Sequence, residues 1–275
     1  MEAPVSRTKL HNRMTTSRNL RWLTGALITC AVFCAHAALP DEIQVYTDDI
    51  NKPGEFGLEL HVNTTPRGTN RADYPGELTT HRGLRITPEF SYGISKDVDV
   101  GLYLPLSLNN GNWSIGGYKL RAKWLPVRGD EANGGFFAGA NVEISNIESK
   151  FESSRYNGEL RFMLGHRSHD WLFAVNPTLG WALSPSQQTP VPQNPRVRVG
   201  YKVSRTVLEG IAAGFEYYNE KGRWGSFNPG GEQSKMVFLT LDVEHGPLPF
   251  NIGIGRGLNS NSDKLTIKAI FDVPF

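Results

Sequence analysis

Leu265-Thr266-Ile267-Lys268-Ala269-Ile270-Phe271-Asp272-Val273-Pro274-Phe275 is the stretch on which the fold turns. Its apolar positions Leu265, Ile267, Ala269, Phe271, Val273 and Phe275 alternate with Thr266, Lys268, Ile270, Asp272 and Pro274. A period of two sends these sets to opposite faces of one strand. The same alternation recurs upstream. Phe250, Ile252 and Ile254 share a face, as do Val237, Leu239, Leu241 and Val243, and Trp171, Phe173, Val175, Leu179 and Trp181. Tyr118, Leu120, Ala122 and Trp124 oppose Lys119, Arg121 and Lys123, a basic face that no soluble core accepts. Back to Phe56, Leu58, Leu60 and Val62, about twelve segments follow the rule.

Connections between the segments alternate in length. Short turns are expected near Ser95-Lys96-Asp97, Ser168-His169-Asp170, Ser204-Arg205 and Gly246-Pro247-Leu248, and the longest loops at 67–78, 184–195 and 219–233. A soluble barrel or sandwich with its apolar face inward has the same alternation. Three features favour the apolar face outward. The polar face is rich in glycine, with Gly101, Gly180, Gly200, Gly214, Gly253 and Gly255. Tyr92, Trp124, Trp171 and Tyr201 gather toward one set of strand ends, and Trp113, Tyr156, Trp181 and Tyr217 toward the other, as in two interfacial girdles. The chain closes on Phe275 within an alternating strand. The expected fold is all-β, an antiparallel transmembrane β-barrel of about 12 strands after an N-terminal signal peptide. Pro88, Pro105 and Pro177 sit awkwardly inside its strands, because proline cannot donate to a ladder.

Residues 1–37 read as the leader. Arg7, Lys9, Arg13, Arg18 and Arg21 precede the apolar run from Leu23 to Cys34, and Ala35-His36-Ala37 supplies a small-residue cleavage pattern. That run is too short for a membrane helix, which needs roughly 20 apolar residues. The expected domains are 1–37 as signal peptide, 38–52 as a periplasmic N-terminal segment and 53–275 as the barrel. The leader holds five of the 29 Lys+Arg and one of the 27 Asp+Glu, so the remainder carries 24 basic against 26 acidic residues. Such a balance gives no reason to expect nucleic acid as a partner. Cys30 and Cys34 are the chain's two cysteines and leave with the leader, which excludes a disulfide scaffold and a thiolate metal site in the mature protein.

The terminal pattern Phe271, Val273, Phe275 resembles the C-terminal signal read by the barrel assembly machinery of bacterial outer membranes. Asp41-Glu42-Ile43-Gln44-Val45-Tyr46, Pro53-Gly54-Glu55-Phe56, Leu60-His61-Val62-Asn63, Pro88-Glu89-Phe90, Leu102-Tyr103-Leu104-Pro105 and Gly253-Ile254-Gly255 are similar to a proteobacterial family of uncharacterised outer-membrane β-barrel proteins. The resemblance implies fold, compartment and outer-membrane lipid as surroundings, and transfers no catalytic motif.

Chemistry is sparse. Glu59, Glu89, Asp99, Lys119, Arg121, Lys123, Glu143, Glu159, Arg161, Arg196, Arg198, Lys202, Glu216, Asp242, Arg256 and Lys268 are the candidate lumen-lining residues. Lys119/Arg121/Lys123 and Arg196/Arg198/Lys202 form two basic ladders that could draw anions into a lumen. Alternatively, acids on neighbouring strands neutralise the ladders and seal it. No Gly-x-Ser-x-Gly occurs, and the histidines suggest no triad, so no enzyme, cofactor or catalytic residue is expected. His61 and His81 with Asp73 could meet a metal only if the first long loop folded back, and no metal site is expected. The leading expectation is a narrow, porin-like channel for small polar solutes, since twelve strands enclose more than a filled eight-stranded barrel. A non-conducting barrel that binds a ligand or protein through its loops is the alternative, with a lipid-modifying enzyme third.

Overall fold

A computed structural model describes Met1 and residues 41–129, 134–186 and 190–274. The leader beyond Met1, the expected mature start Ala38 and Phe275 of the assembly signal lie outside the described residues. Twelve strands run in chain order: β1 Phe56–Arg67, β2 Leu84–Ser95, β3 Val98–Tyr103 resumed at Leu106–Asn109, and β4 Asn112–Ile115 resumed at Gly117–Val127. They continue as β5 Gly135–Ile147, β6 Tyr156–Arg167, β7 Trp171–Ala182, β8 Arg196–Leu208, β9 Ile211–Arg223, β10 Ser234–Val243, β11 Phe250–Gly257 and β12 Leu265–Asp272. A two-residue strand, Ser226–Phe227, folds back on β9. Each strand pairs antiparallel with its neighbours, and β1 pairs with both β2 and β12, so the sheet closes on itself. No helix occurs among the described residues.

The prolines mark the irregularities. Pro105 separates the two parts of β3, and Gly116 those of β4. There the Gly116 N–H donates to the Pro105 carbonyl at 2.6 Å, carrying the ladder across the break. Opposite Pro177 the pairing of β6 with β7 lapses between Arg161↔Thr178 and Leu164↔Val175, as expected where a residue brings no N–H. Pro88 remains in register with Leu60. The two-residue turn after β3 is Asn110-Gly111, both at positive φ, the left-handed pair that a tight hairpin requires. One expected turn is corrected. Ser204 and Arg205 lie within β8, paired with Leu172 and Trp171, and the chain turns later at Glu209-Gly210, where Gly210 takes φ +66°. The run Thr206-Val207 favours extended backbone, and glycine supplies the reversal.

Alternation sorts the faces as expected. Phe136, Val142, Ile144, Phe173, Phe215, Leu239 and Ile254 are exposed on the outside, whereas Thr87, Asn141, Thr240, Thr266 and Lys268 are buried on the inside. An apolar exterior around a polar interior suits hydrocarbon and not water. Leu239→Arg or Phe173→Arg should therefore destabilise the folded barrel by roughly 2–4 kcal/mol in a bilayer. Urea refolding into lipid vesicles reads this, and an Arg tolerated at both positions would contradict a lipid-facing exterior. Thr240→Arg and Thr178→Arg, on the inner face, should be no milder, because both side chains are buried against other groups.

Candidate functional site

The candidate site is the barrel interior, and its main occupant is the chain itself. Residues 41–52, expected as a periplasmic segment outside the barrel, run inside it. Asp41 lies toward the end with long loops, where its carbonyl accepts from Asn63 Nδ2 at 3.1 Å. Asn51 lies at the end with short turns, bonded through Nδ2 to Ser91 Oγ at 2.7 Å. Lys52 then passes so close to Gly93 that a Cβ there would stand 1.9 Å from the Lys52 carbonyl oxygen. Glycine at 93 is what allows the segment to leave the lumen beside β2.

Polar contacts from many strands hold this lumen segment. Asn176 on β7 accepts from the Tyr46 N–H at 2.6 Å and donates to the Tyr46 carbonyl at 3.0 Å, a two-point grip on the backbone of one residue. The Tyr46 hydroxyl meets that of Tyr103 at 2.6 Å. Arg161 reaches Glu42 at 2.9 Å and lies 4.2 Å over the Tyr46 ring. Lys119 pairs with Asp41 at 2.8 Å, Arg167 with Asp48 at 2.5 Å, and Lys268 donates to the Ile43 carbonyl at 3.0 Å. Among the described residues, the segment joins two small apolar clusters, Val45 with Phe137, Leu172, Ala174 and Tyr218, and Tyr46 with Leu125, Met163 and Ile50.

Most of the inward charges are paired. Arg121 bonds to Glu89 at 2.5 Å and to Asp99. Lys123 lies 3.9 Å from Asp99, and Lys119 reaches Glu143 at 3.3 Å as well as Asp41. Glu159 takes Arg161 at 2.9 Å and also Arg198. Lys202 meets Asp242 at 2.8 Å and Glu216 at 3.6 Å, and Lys268 meets Glu216 at 2.6 Å. Glu59 faces the lumen beside His61, and Arg196 lines the cavity described next. Lys119, Arg121 and Lys123 of the first ladder and Arg198 and Lys202 of the second thus meet acids on other strands or on the lumen segment.

Arg256 departs from the expected set. It shares the outer face with Ile252 and Ile254, four and two residues before it on β11, and is exposed. Strict alternation forbids it from sharing a face with the inward Gly253 and Gly255. Its place one residue from the strand's end lets its charge reach out of the apolar band. Phe271 and Val273 of the terminal pattern continue the wall: Phe271 pairs with Leu60 and Phe250, and the Val273 N–H donates to the Leu58 carbonyl at 2.8 Å.

Above the lumen segment, toward the long loops, lies a cavity of about 320 Å³. Arg85, Lys119, Arg161, Arg196, Arg198 and Arg223 line it together with Asp41, Glu42, Glu143, Glu152, Glu159, Glu220 and Asp263. Both signs of charge therefore face the same space, beside Ile43, Phe151, Trp181 and Tyr218. Tyr46, Tyr103, Asn176, Arg167 and Asp48 were missed as site residues. Their one sequence signal was Ile43-x-Val45-Tyr46, apolar side chains set among acids just before the first strand.

Searched by sequence, the chain matches no protein-family model and no curated protein. Among solved structures it is similar to the COG4313 outer membrane channel from Pseudomonas putida F1, at 13% identity and TM-score 0.58 over 85% of this chain and 100% of that one. Similarity to the KdgM porin (11% identity, TM-score 0.49, 80% of this chain and 99% of that one) and to the NanC porin (8%, 0.49, 80% and 100%) is looser. At such identities the likeness to the Pseudomonas channel speaks to architecture alone, and the architecture is a closed, antiparallel, twelve-stranded β-barrel.

Proposed function

We propose that this protein is a narrow, porin-like channel of a bacterial outer membrane for small polar solutes, with passage governed by residues 41–52. The observation that carries the proposal is how that segment is held. Its anchors are ion pairs and hydrogen bonds from Lys119, Arg161, Arg167, Asn176 and Lys268. Water can replace each of these when the segment moves aside, whereas a plug seated by a large apolar surface would have no such exchange. The cavity above offers both charges to an arriving solute. The short-turn end is assigned to the periplasm and the long loops to the outside. Lipid contacts the apolar wall, and the barrel assembly machinery reads Phe271, Val273 and Phe275.

A reversible lock tests the reading. A Cβ placed at Gly200 would stand 3.3 Å from Val45 Cγ2, a separation that suits a disulfide between Val45→Cys and Gly200→Cys. Both natural cysteines belong to the expected leader, so the pair would be the only thiols of the mature protein. In liposomes, oxidised protein should block swelling in a small sugar or amino acid, and dithiothreitol should restore it. Equal swelling in both states would show that solute bypasses the segment. No swelling in either state, or in the unmodified protein, would favour the alternative of a non-conducting barrel that binds its partner through the long loops.

A further inference from the structure

We propose that Glu59, His61 and Glu89 bind one divalent transition-metal ion of the zinc class in the inner wall of the barrel. Glu59 and His61 are alternate, inward residues of β1, and Glu89 on β2 stands directly across from Glu59. His61 Nε2 lies 3.1 Å from Glu89 Oε2 and 3.7 Å from Glu59 Oε2, and the three ligand atoms all lie within 4.8 Å of one another. Zinc bonds of about 2.0–2.2 Å to nitrogen and oxygen set ligand-to-ligand edges of about 3.3 Å in a tetrahedron. The two histidine distances bracket that edge.

Charge points the same way. In the sheet register Glu59 stands opposite Glu89 on one side and Asp272 on the other, and like charges directly opposed destabilise a sheet. Among the described residues, Glu59 has no lysine or arginine at salt-bridge distance, only His61. The His61 ring is fully buried, and its Nδ1 has no hydrogen-bond partner. With the proton on Nδ1, the Nε2 lone pair would face two carboxylate oxygens, an arrangement that a cation between the three atoms resolves. Arg121 Nε holds the other oxygen of Glu89 at 2.5 Å, fixing the carboxylate as an outer-shell partner does in built metal sites. Gln44 Nε2 of the lumen segment lies 3.4 Å from Glu59 Oε2, so the site sits where wall and segment meet. Three protein ligands leave a fourth position for water. The sequence alone could not propose this trio, because Glu89 is 28 residues from His61 and only the register joins them.

The experiment is a titration of metal-stripped, full-length protein in detergent, first with Co²⁺ and then with Zn²⁺. One equivalent of Co²⁺ should give visible d–d absorption bands, and one equivalent of Zn²⁺ should erase them. His61→Gln keeps a hydrogen-bond donor beside Glu89 and should abolish the bands, as should Glu59→Gln. Replacing the exposed His169 by Ala should change nothing. Heat-modifiable migration on gels establishes that each variant is folded. Absence of the bands in folded wild-type protein overturns the proposal, as do bands that survive His61→Gln. If His61→Gln does not fold, the wild-type titration and Glu59→Gln decide. Titration of His61 by protons without metal uptake would mean that a proton joins the carboxylates, and would equally overturn the site.

Discussion

Deleting residues 41–49, while keeping Asn51 to Glu55 as the lead into β1, should convert a closed lumen into a steadily conducting pore that prefers anions. The deletion removes Asp41, Glu42, Asp48 and Asp49 together with the buried side chains of Ile43, Val45 and Tyr46. Lys119, Arg161 and Arg167 then lose acidic partners and face the opened space. Their field should shift the reversal potential in a salt gradient toward anions, an effect that rising salt weakens by screening. Planar-bilayer recordings of wild type and deletion compare both quantities. A deletion variant that is folded, judged by heat-modifiable migration, yet does not conduct would place the barrier in the wall charges and refute control by the segment. Arg121→Gln with Arg198→Gln should behave differently: both arginines are bound by carboxylates in the closed state, so the double variant should lose stability before it alters selectivity.

The second large effect falls on the wall. Lys268 and Glu216 are buried together at 2.6 Å, Lys268 also donates to the Ile43 carbonyl, and Glu216 accepts from the Tyr218 hydroxyl at 2.6 Å. Lys268→Ala strands a buried carboxylate and a backbone carbonyl, and should cost about 3–5 kcal/mol of folding stability. Lys202, at 3.6 Å from Glu216, cannot take over fully because Asp242 already holds it at 2.8 Å. Lys268→Met combined with Glu216→Gln removes both charges at nearly constant volume and should cost clearly less than the single change. Urea refolding midpoints of the three proteins provide the comparison. A double variant as damaged as Lys268→Ala would mean that packing around Phe238, and not the ion pair, sets the loss.

Period-two alternation carried most of the wall in plain view. Leu239, Phe173 and Ile254 were assigned outward, and Lys119, Arg121, Glu143 and Lys268 inward, from parity alone. Arg256 shows the limit of a charge-based shortcut, because parity with Ile252 and Ile254 already placed it outside. The lumen segment was not legible, for a physical reason. The groups that seat it, Arg161, Asn176 and Lys268, lie 119, 130 and 225 residues away from their partners, and no local period encodes a contact at that range. Whether the basic ladders are free or neutralised was likewise undecidable without the register that sets Arg121 beside Glu143 and Gly101.

The seam between β1 and β12 joins Glu59 to Asp272 and Thr64 to Ile267. These contacts have nearly the largest sequence separation the barrel allows, and the loop entropy they cost is recovered only when the last strand is in place. Folding should therefore end at that seam, with eleven hairpin-linked junctions formed before it. Until then the sheet is an open sleeve with two unpaired edges, and residues 41–52 can settle sideways into its trough without threading an end. Lys268, on the last strand, would complete the enclosure by closing over Ile43. In refolding kinetics, protection of the β1 and β12 amides and burial of Tyr46 should emerge in the same slow phase.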